Sequence, residues 1–238
     1  MKATVFVLAA FAPMVLTQST LCGQYDHFSA NGYDFNNNNW GKGSATSGSQ
    51  CTYVQSTSTS GVGWRTTWAW AGGQDKVKSY AYSGRQIEKK PVSQYKSLQT
   101  KTQWSYNNTN IRANVAYDLF TAADVNHDTS SGDYELMVWL GKFGDISPIG
   151  KSQGQVNVAG TNWELFYGPN GQMQVYSFVA PNAMTSFNSN LKDFFDYLTK
   201  NKAFPASTQN LITYQFGTEP FTGDKTTLSV TQWSAEAS

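Results

Sequence analysis

The chain has 238 residues, with 17 Lys+Arg against 16 Asp+Glu and a net charge of +1. That balance argues against an electrostatic nucleic-acid binder, which carries a basic excess. Aromatics at 15 % beside charged residues at only 14 % argue against a disordered chain, and the remaining polarity suits neutral polar ligands better than phosphates or other ions.

In chain order, Met1-Lys2 and the apolar stretch Ala3–Leu16 come first. This stretch is too short for a membrane helix and fits the apolar region of a signal peptide. Cleavage is expected after Thr17, within a few residues either way; a buried N-terminal strand or helix is the alternative. No later stretch is long and apolar enough to span a bilayer. A secreted, extracellular protein without a membrane partner is therefore expected, and, with no linker or internal repeat visible, residues 18–238 should form a single domain. Cys22 and Cys51 are the only cysteines. In an oxidising compartment they read as a disulfide closing a loop of about 30 residues, which stabilises by about 3–4 kcal/mol on the chain-entropy model. With only His27 and His127 besides, no tetrahedral zinc site can be completed without carboxylates, so no metal is expected.

Next come aromatics that could stack on the apolar faces of sugar rings. Tyr25, Trp40 and the row Trp64, Trp68, Trp70 qualify; for the row, a place in the core is the alternative. Trp40 follows four asparagines, a polar and turn-prone run, which favours a surface groove. The Gly/Ser/Thr-rich residues 41–61 contain Cys51 and Tyr53-Val54 and read as a hairpin tip and strand edge. Short period-2 runs follow at Trp64–Trp70, Ile111–Tyr117, Tyr134–Leu140 and Gln172–Phe178, the pattern of a sandwich or barrel. Asn107-Asn108-Thr109 is a candidate glycosylation sequon at Asn107. Asp124-Val-Asn-His-Asp128 superficially fits a calcium loop but lacks its glycine and flanking helices. Late in the chain, Leu191, Phe194, Phe195 and Leu198 fall at i, i+3, i+4 and i+7, which predicts one amphipathic helix packed on the convex side of the sandwich and capped by Ser189 or Asn190.

Three acids stand out against this frame. In Tyr134–Leu140, residues Tyr134, Leu136, Val138 and Leu140 turn coreward, while Glu135 shares the other face with Met137 and Trp139. A carboxyl flanked by Met and Trp is a candidate for a raised pKa; an ordinary surface Glu is the alternative. In Leu211–Phe221, alternation puts Ile212, Tyr214, Phe216 and Thr218 on one side and Gln215 and Glu219 on the other. Gly217 hints at a bulge, and Pro220 is expected to end ladder pairing. Asp118 faces away from Tyr117 and Leu119 and could hydrogen-bond a neighbouring carboxylate. Two carboxyls on one concave face are the machinery of glycoside hydrolysis, one protonating the leaving oxygen while the other attacks or activates water.

Tyr134-Glu-Leu-Met-Val-Trp-Leu140 and Gln215-Phe-Gly-Thr-Glu-Pro-Phe221 resemble the two catalytic signatures of glycoside hydrolase family 12, the compact fungal and bacterial endoglucanases. The resemblance extends through Asn31-Gly-Tyr33, Asn38-Asn-Trp-Gly41, Val77-Lys-Ser-Tyr80, Asn110–Ala123 and Val175–Ala180, essentially the whole mature chain. It implies an all-β jelly-roll sandwich of two curved antiparallel sheets with one helix and a concave substrate groove. It further implies hydrolysis of β-1,4-glucan with retention of configuration. Glu135 matches the nucleophile, Glu219 the general acid/base and Asp118 the aspartate bonded to the nucleophile. Met137 matches the methionine beside it, and Trp40 the sugar-stacking tryptophan. Asn38 falls at a substrate-contacting position, and Pro148-Ile149 at a loop lining the cleft. Trp139, on the face of Glu135, joins the substrate-binding candidates. Cys22 and Cys51 match the family's N-terminal disulfide. Tyr25, a smaller ring, stands where several fungal relatives carry Trp, which leaves the affinity of a distal subsite open and does not bear on the chemistry.

The leading expectation is a secreted, monomeric endo-β-1,4-glucanase acting on soluble or amorphous glucans without a cofactor. A xyloglucan-specific endoglucanase is the close alternative, and a non-catalytic carbohydrate-binding jelly roll the remoter one. Nothing in the sequence tests whether host inhibitor or receptor proteins are partners.

Overall fold

The computed structural model describes residues 18–238, so the signal-peptide segment 1–17 lies outside the described residues. The first strands are β1 (Ser19–Leu21), β2 (His27–Ala30), β3 (Tyr33–Asn36), β4 (Ser47–Ser58), β5 (Gly61–Ala71) and β6 (Ala81–Arg85). Then come β7 (Leu98–Tyr106), β8 (Arg112–Ala122), β9 (Tyr134–Phe143), β10 (Lys151–Val158), β11 (Thr161–Asn170) and β12 (Met173–Val179). After β13 (Ser186–Asn190) comes helix α1 (Lys192–Lys202), then β14 (Asn210–Leu211), β15 (Gln215–Thr218) and β16 (Pro220–Ala237). No helix among them is long and apolar enough to cross a membrane.

Two sheets face each other across the core. One runs β1-β4-β5-β16-β7-β13. The other, which carries the site, runs β2-β3-β6-β15-β8-β9-β12-β11-β10. All these pairings are antiparallel except β9 with β12, which is parallel because the β10–β11 hairpin intervenes between them in sequence and folds outward. Strand β16 belongs to both sheets: Pro220 and Thr222 pair with β8, and Gly223 onward pairs with β5 and then β7. This is the expected jelly-roll sandwich.

The core is aromatic. Trp233 of β16 meets Tyr33 of β3 edge-on at 5.4 Å and stacks near Phe216 of β15 at 6.3 Å, so rings from opposite sheets interlock. Each such fully buried side chain contributes roughly 1.5–3 kcal/mol of transfer free energy. Trp64, Trp68 and Trp70 are also buried, which removes them as sugar-stacking candidates. Their alternating face is the inner face of β5, and burial of indole surface there outweighs any use outside.

Helix α1 buries Phe194, Phe195 and Leu198 as its spacing predicts. Phe194 packs edge-on against Trp163 at 5.2 Å and Phe178 at 5.0 Å, on the sheet face opposite the acids. The N-cap is Leu191 rather than Ser189 or Asn190. Asn190 lies one residue earlier, and its Oδ1 accepts the N–H groups of Lys192 and Leu98, so it caps while also tying the helix start to β7.

Cys22 and Cys51 form the disulfide, with Cα atoms 4.3 Å apart. It fixes the turn that carries Tyr25. The Asp26 carboxylate accepts the N–H groups of Cys22 and Gly23 within that turn.

Candidate active site

The site is built on the outer face of β8 and β9. Strand β8 is buried on both faces from Ala113 to Ala122. Val115, Tyr117 and Leu119 enter the core, which leaves Asn114, Ala116, Asp118 and Phe120 on the opposite face. Strand β9 alternates as the sequence predicts: Leu136, Val138 and Leu140 lie in the core, with Glu135, Met137 and Trp139 opposite. Asp118 is the register partner of Met137 on one side and of Gln215 on the other. Ala116 and Gly217, also register partners, keep the middle of this face low. A Cβ at Gly217 would lie 2.2 Å from the Ala81 carbonyl oxygen, so this glycine serves close strand approach to β6 and is not the bulge expected there.

Two expectations around Glu219 need correction. Pro220 does not end pairing; it opens β16 opposite Ala113, and the break falls on Glu219 itself. Ile212 does not share the core side with Tyr214 and Phe216. It packs with Phe120, Ala122, Met173 and Val175 on the site face, because regular alternation begins only at Gln215.

Since Glu219 lies outside a ladder, something else must hold it. Asn114 does so at three points. Its backbone N–H donates to Glu219 O at 3.2 Å, its Oδ1 accepts the Glu219 N–H at 2.8 Å, and its Nδ2 donates to Glu219 Oε2. The sequence reading passed over Asn114. Its signal was an amide flanked by Ala113 and Val115 in a strand buried on both faces, where it would have to be satisfied.

The three acids share one electrostatic environment. Burial, then the charges of Glu135 and Glu219, push the Asp118 carboxyl well above the usual carboxylate range. Burial and the Glu219 charge push Glu135 up to about 8, against a hydrogen bond from Asp118. Burial pushes Glu219 up to about 7, against the bond from Asn114. The interaction between Asp118 and Glu135 raises the former and lowers the latter, which favours a proton on Asp118 over one on Glu135. Tyr80 completes this environment: its hydroxyl donates to Ala116 O, and burial together with all three carboxyls keeps it a neutral phenol.

The remaining candidates divide by accessibility. Tyr25 and Trp40 are 58 % and 52 % exposed. The asparagine run explains Trp40. Asn37 and Asn39 turn inward, where Asn37 exchanges hydrogen bonds with Gln50, so Asn38 and Trp40 turn outward. Asn38 adopts φ +45°, and Asn36 Oδ1 accepts its N–H. Met137 and Trp139 are buried, with Trp139 Nε1 donating to Met137 Sδ, and Ile146 and Phe221 cover them. Pro148 is buried, while the adjacent Ile149 is exposed. A cavity of about 380 Å³ opens between β3, β6 and β15, lined among others by Asp34, Tyr82, Gln86 and Gln215, the last the register partner of Asp118.

Lys78, in a segment quoted above for its resemblance, is fully buried. Its ammonium donates to the carbonyls of Gly73, Lys76 and Phe221 at 2.6–3.0 Å. Its own backbone N–H donates to Pro220 O, and its O accepts the Gly41 N–H. The segment thus ties the chain after Trp40 to the chain after Glu219.

Residues 31–238 match the family described as Glycosyl hydrolase family 12. The chain belongs to this family. It is a glycoside hydrolase. Endoglucanase A of Aspergillus kawachii is 50 % identical over 232 residues, 96 % of each chain. A xyloglucan-specific endo-β-1,4-glucanase A of Emericella nidulans is 42 % identical over 96 % of this chain and 95 % of its own. Among solved structures, the catalytic domain of Humicola grisea Cel12A, in complex with a soaked thio cellotetraose, superposes with a TM-score of 0.91 at 48 % identity, covering 92 % of this chain and 99 % of that one. Trichoderma harzianum Endoglucanase 3 gives 0.89 at 50 % identity, covering 92 % and 97 %.

Proposed function

We propose that this family 12 hydrolase is a secreted, monomeric endo-β-1,4-glucanase that cuts internal bonds of soluble or amorphous β-glucans with retention of configuration. The observation that carries the reading is the gathering of Asp118 on β8, Glu135 on β9 and Glu219, held to β8 by Asn114, in one buried cluster where each carboxyl pKa is raised. The similarity to Endoglucanase A supports the substrate class.

Glu135 is assigned as nucleophile and Glu219 as general acid/base. The values of about 8 and about 7 run opposite to these roles. Coupling removes the conflict, because the Glu135 value includes repulsion from an ionised Glu219. A proton on Glu219 abolishes that repulsion, and the Asp118 hydrogen bond then favours the Glu135 anion; the carboxyls titrate as a set. In the reaction, Glu219 protonates the leaving glycosidic oxygen while Glu135 attacks the anomeric carbon. Glu219, now a carboxylate, takes a proton from the water that cleaves the glycosyl ester. Carboxyl groups about 5–5.5 Å apart are expected for this route.

Trp40 and Tyr25 are assigned to stack on glucosyl rings, with Asn38 bonding hydroxyls and Pro148 shaping the loop. Met137 and Trp139 form the wall behind the nucleophile. Residues 1–17 are assigned as a signal peptide and 18–238 as the catalytic domain. Asn107 fits a glycosylation site: it is exposed, and its Oδ1 accepts from Thr226 and Thr227, which leaves the amide nitrogen outward.

One observation favours a second reading, preference for xyloglucan. The cavity beside Gln215 has room for a sugar branch on the main chain. Reducing-sugar release on barley β-glucan, carboxymethylcellulose and xyloglucan, with Glu135→Gln alongside, decides between them. Activity mainly on the unbranched glucans, lost in the variant, is expected; activity on xyloglucan alone supports the second reading. No hydrolysis of any substrate, with binding retained, overturns both.

A further inference from the structure

Behind Glu219, on the core side, a chain of side-chain hydrogen bonds crosses from one sheet to the other. Trp68 Nε1 on β5 donates to Tyr106 OH on β7 at 3.1 Å. Tyr106 OH lies 2.7 Å from Thr218 Oγ1 on β15, and Thr218 Oγ1 donates to the backbone oxygen of Asn114 on β8. An indole N–H can only donate and a carbonyl can only accept. Both hydroxyls between them therefore have fixed directions: Tyr106 donates to Thr218, and Thr218 to Asn114. The chain ends on the residue that holds Glu219 at three points, and Thr218 immediately precedes Glu219.

The place where it ends is irregular. The β8–β9 register shifts between Val115 and Ala116, and the β8–β16 register shifts between Pro220 and Thr222. Ladder bonds are disrupted at such shifts. A side-chain hydroxyl from the neighbouring strand supplies a bond to the Asn114 carbonyl there. Trp68 and Thr218 are buried, and Tyr106 packs edge-on against Trp68 and Phe143 at 6.4 and 5.6 Å, so the chain is held by packing as well as by its bonds.

We propose that Trp68, Tyr106 and Thr218 are positioning residues that fix Glu219 through Asn114, so that the sheet carrying none of the three site acids helps set the orientation of the acid/base. The proposal rests on the assignment of Glu219 as acid/base. A displacement of about 1 Å at a reacting group costs up to about a hundredfold in rate, so loosening this chain should appear in kcat. Substrate binding uses other residues, and KM should stay within about twofold.

The experiment compares the wild-type chain with Tyr106→Phe, Thr218→Val, Thr218→Ser and Glu219→Ala, each checked for folding by thermal denaturation and assayed on barley β-glucan from pH 4 to 9. For Tyr106→Phe and Thr218→Val, kcat is expected to fall about tenfold. The alkaline limb should also move to higher pH, because a looser Asn114 stabilises the Glu219 anion less. Thr218→Ser keeps the hydroxyl and should restore both. Folded Tyr106→Phe and Thr218→Val with wild-type kcat and an unmoved limb overturn the relay. Should the valine variant not fold, a Thr218→Ser enzyme as impaired as Tyr106→Phe overturns it equally. Wild-type activity in Glu219→Ala instead overturns the role of Glu219, a result separable from the others.

Discussion

Asn114 and Glu219 are joined through both backbone and side chain, although 105 residues separate them in sequence. The contact replaces the ladder that Glu219 lacks, and it delivers a donor to the carboxylate. Asn114→Ala should therefore lower kcat by about 10–100-fold, within the range that a positioned acid–base group supplies. Because the lost bond favours the anion, the Glu219 pKa should rise and the alkaline limb of kcat/KM should move to higher pH. A pH–rate profile of the folded variant checks both the size and the direction.

Stability should depend on pH through the same acids. Their folded pKa values lie above the unfolded ones, at about 8 for Glu135 and about 7 for Glu219. Between about pH 4.5 and 8 the native state thus holds more protons than the unfolded chain, and stability falls as pH rises. Glu135→Gln cannot ionise. It should melt higher than wild type at pH 8, by about 2–4 °C for each kcal/mol relieved, and at nearly the same temperature at pH 4.5. Calorimetric scans at the two pH values test this; a variant destabilised equally at both would contradict it.

The tryptophans should separate cleanly. Trp40→Ala removes an exposed ring, so KM should rise several-fold while the melting temperature holds. Trp64→Ala empties a core site and should cost about 3–5 kcal/mol. Paired measurements of KM and urea midpoint distinguish platform from core.

Lys78→Met should be costly in spite of its similar shape. The buried Phe221 carbonyl and the part-buried Gly73 and Lys76 carbonyls lose the ammonium, and a buried group left unsatisfied costs about 1–3 kcal/mol. The loss should show in the urea midpoint. Lys78→Arg carries a bulkier head and should recover only part of it.

Legibility in the sequence followed the regularity of the backbone. Glu135 and Asp118 sit in uninterrupted strands, so period-2 alternation placed their side chains correctly. Around Glu219 the strand starts late and breaks at one residue; alternation therefore misplaced Ile212 and misjudged Gly217 and Pro220. For Trp64 and Trp68 the period gave the face but not whether that face was covered, which only the docking of the second sheet decides. Asn114 was missed because a strand amide looks alike in solvent and in a core until its partner is known. The Trp68–Tyr106–Thr218 bonds span 38 and 112 residues in sequence, beyond any local pattern.

Strand β16 runs unbroken from Pro220 to Ala237 and serves both sheets. Glu219 abuts the end of this shared beam, which gives catalysis a stake in how the two halves of the sandwich dock. A form with both sheets formed but slipped against each other would keep its strand content and lose its aim. Turnover should then vanish with the first loss of side-chain packing seen in near-ultraviolet dichroism, ahead of any fall in the far-ultraviolet signal. The enzyme's own activity is in that sense a gauge of whether its two halves are seated.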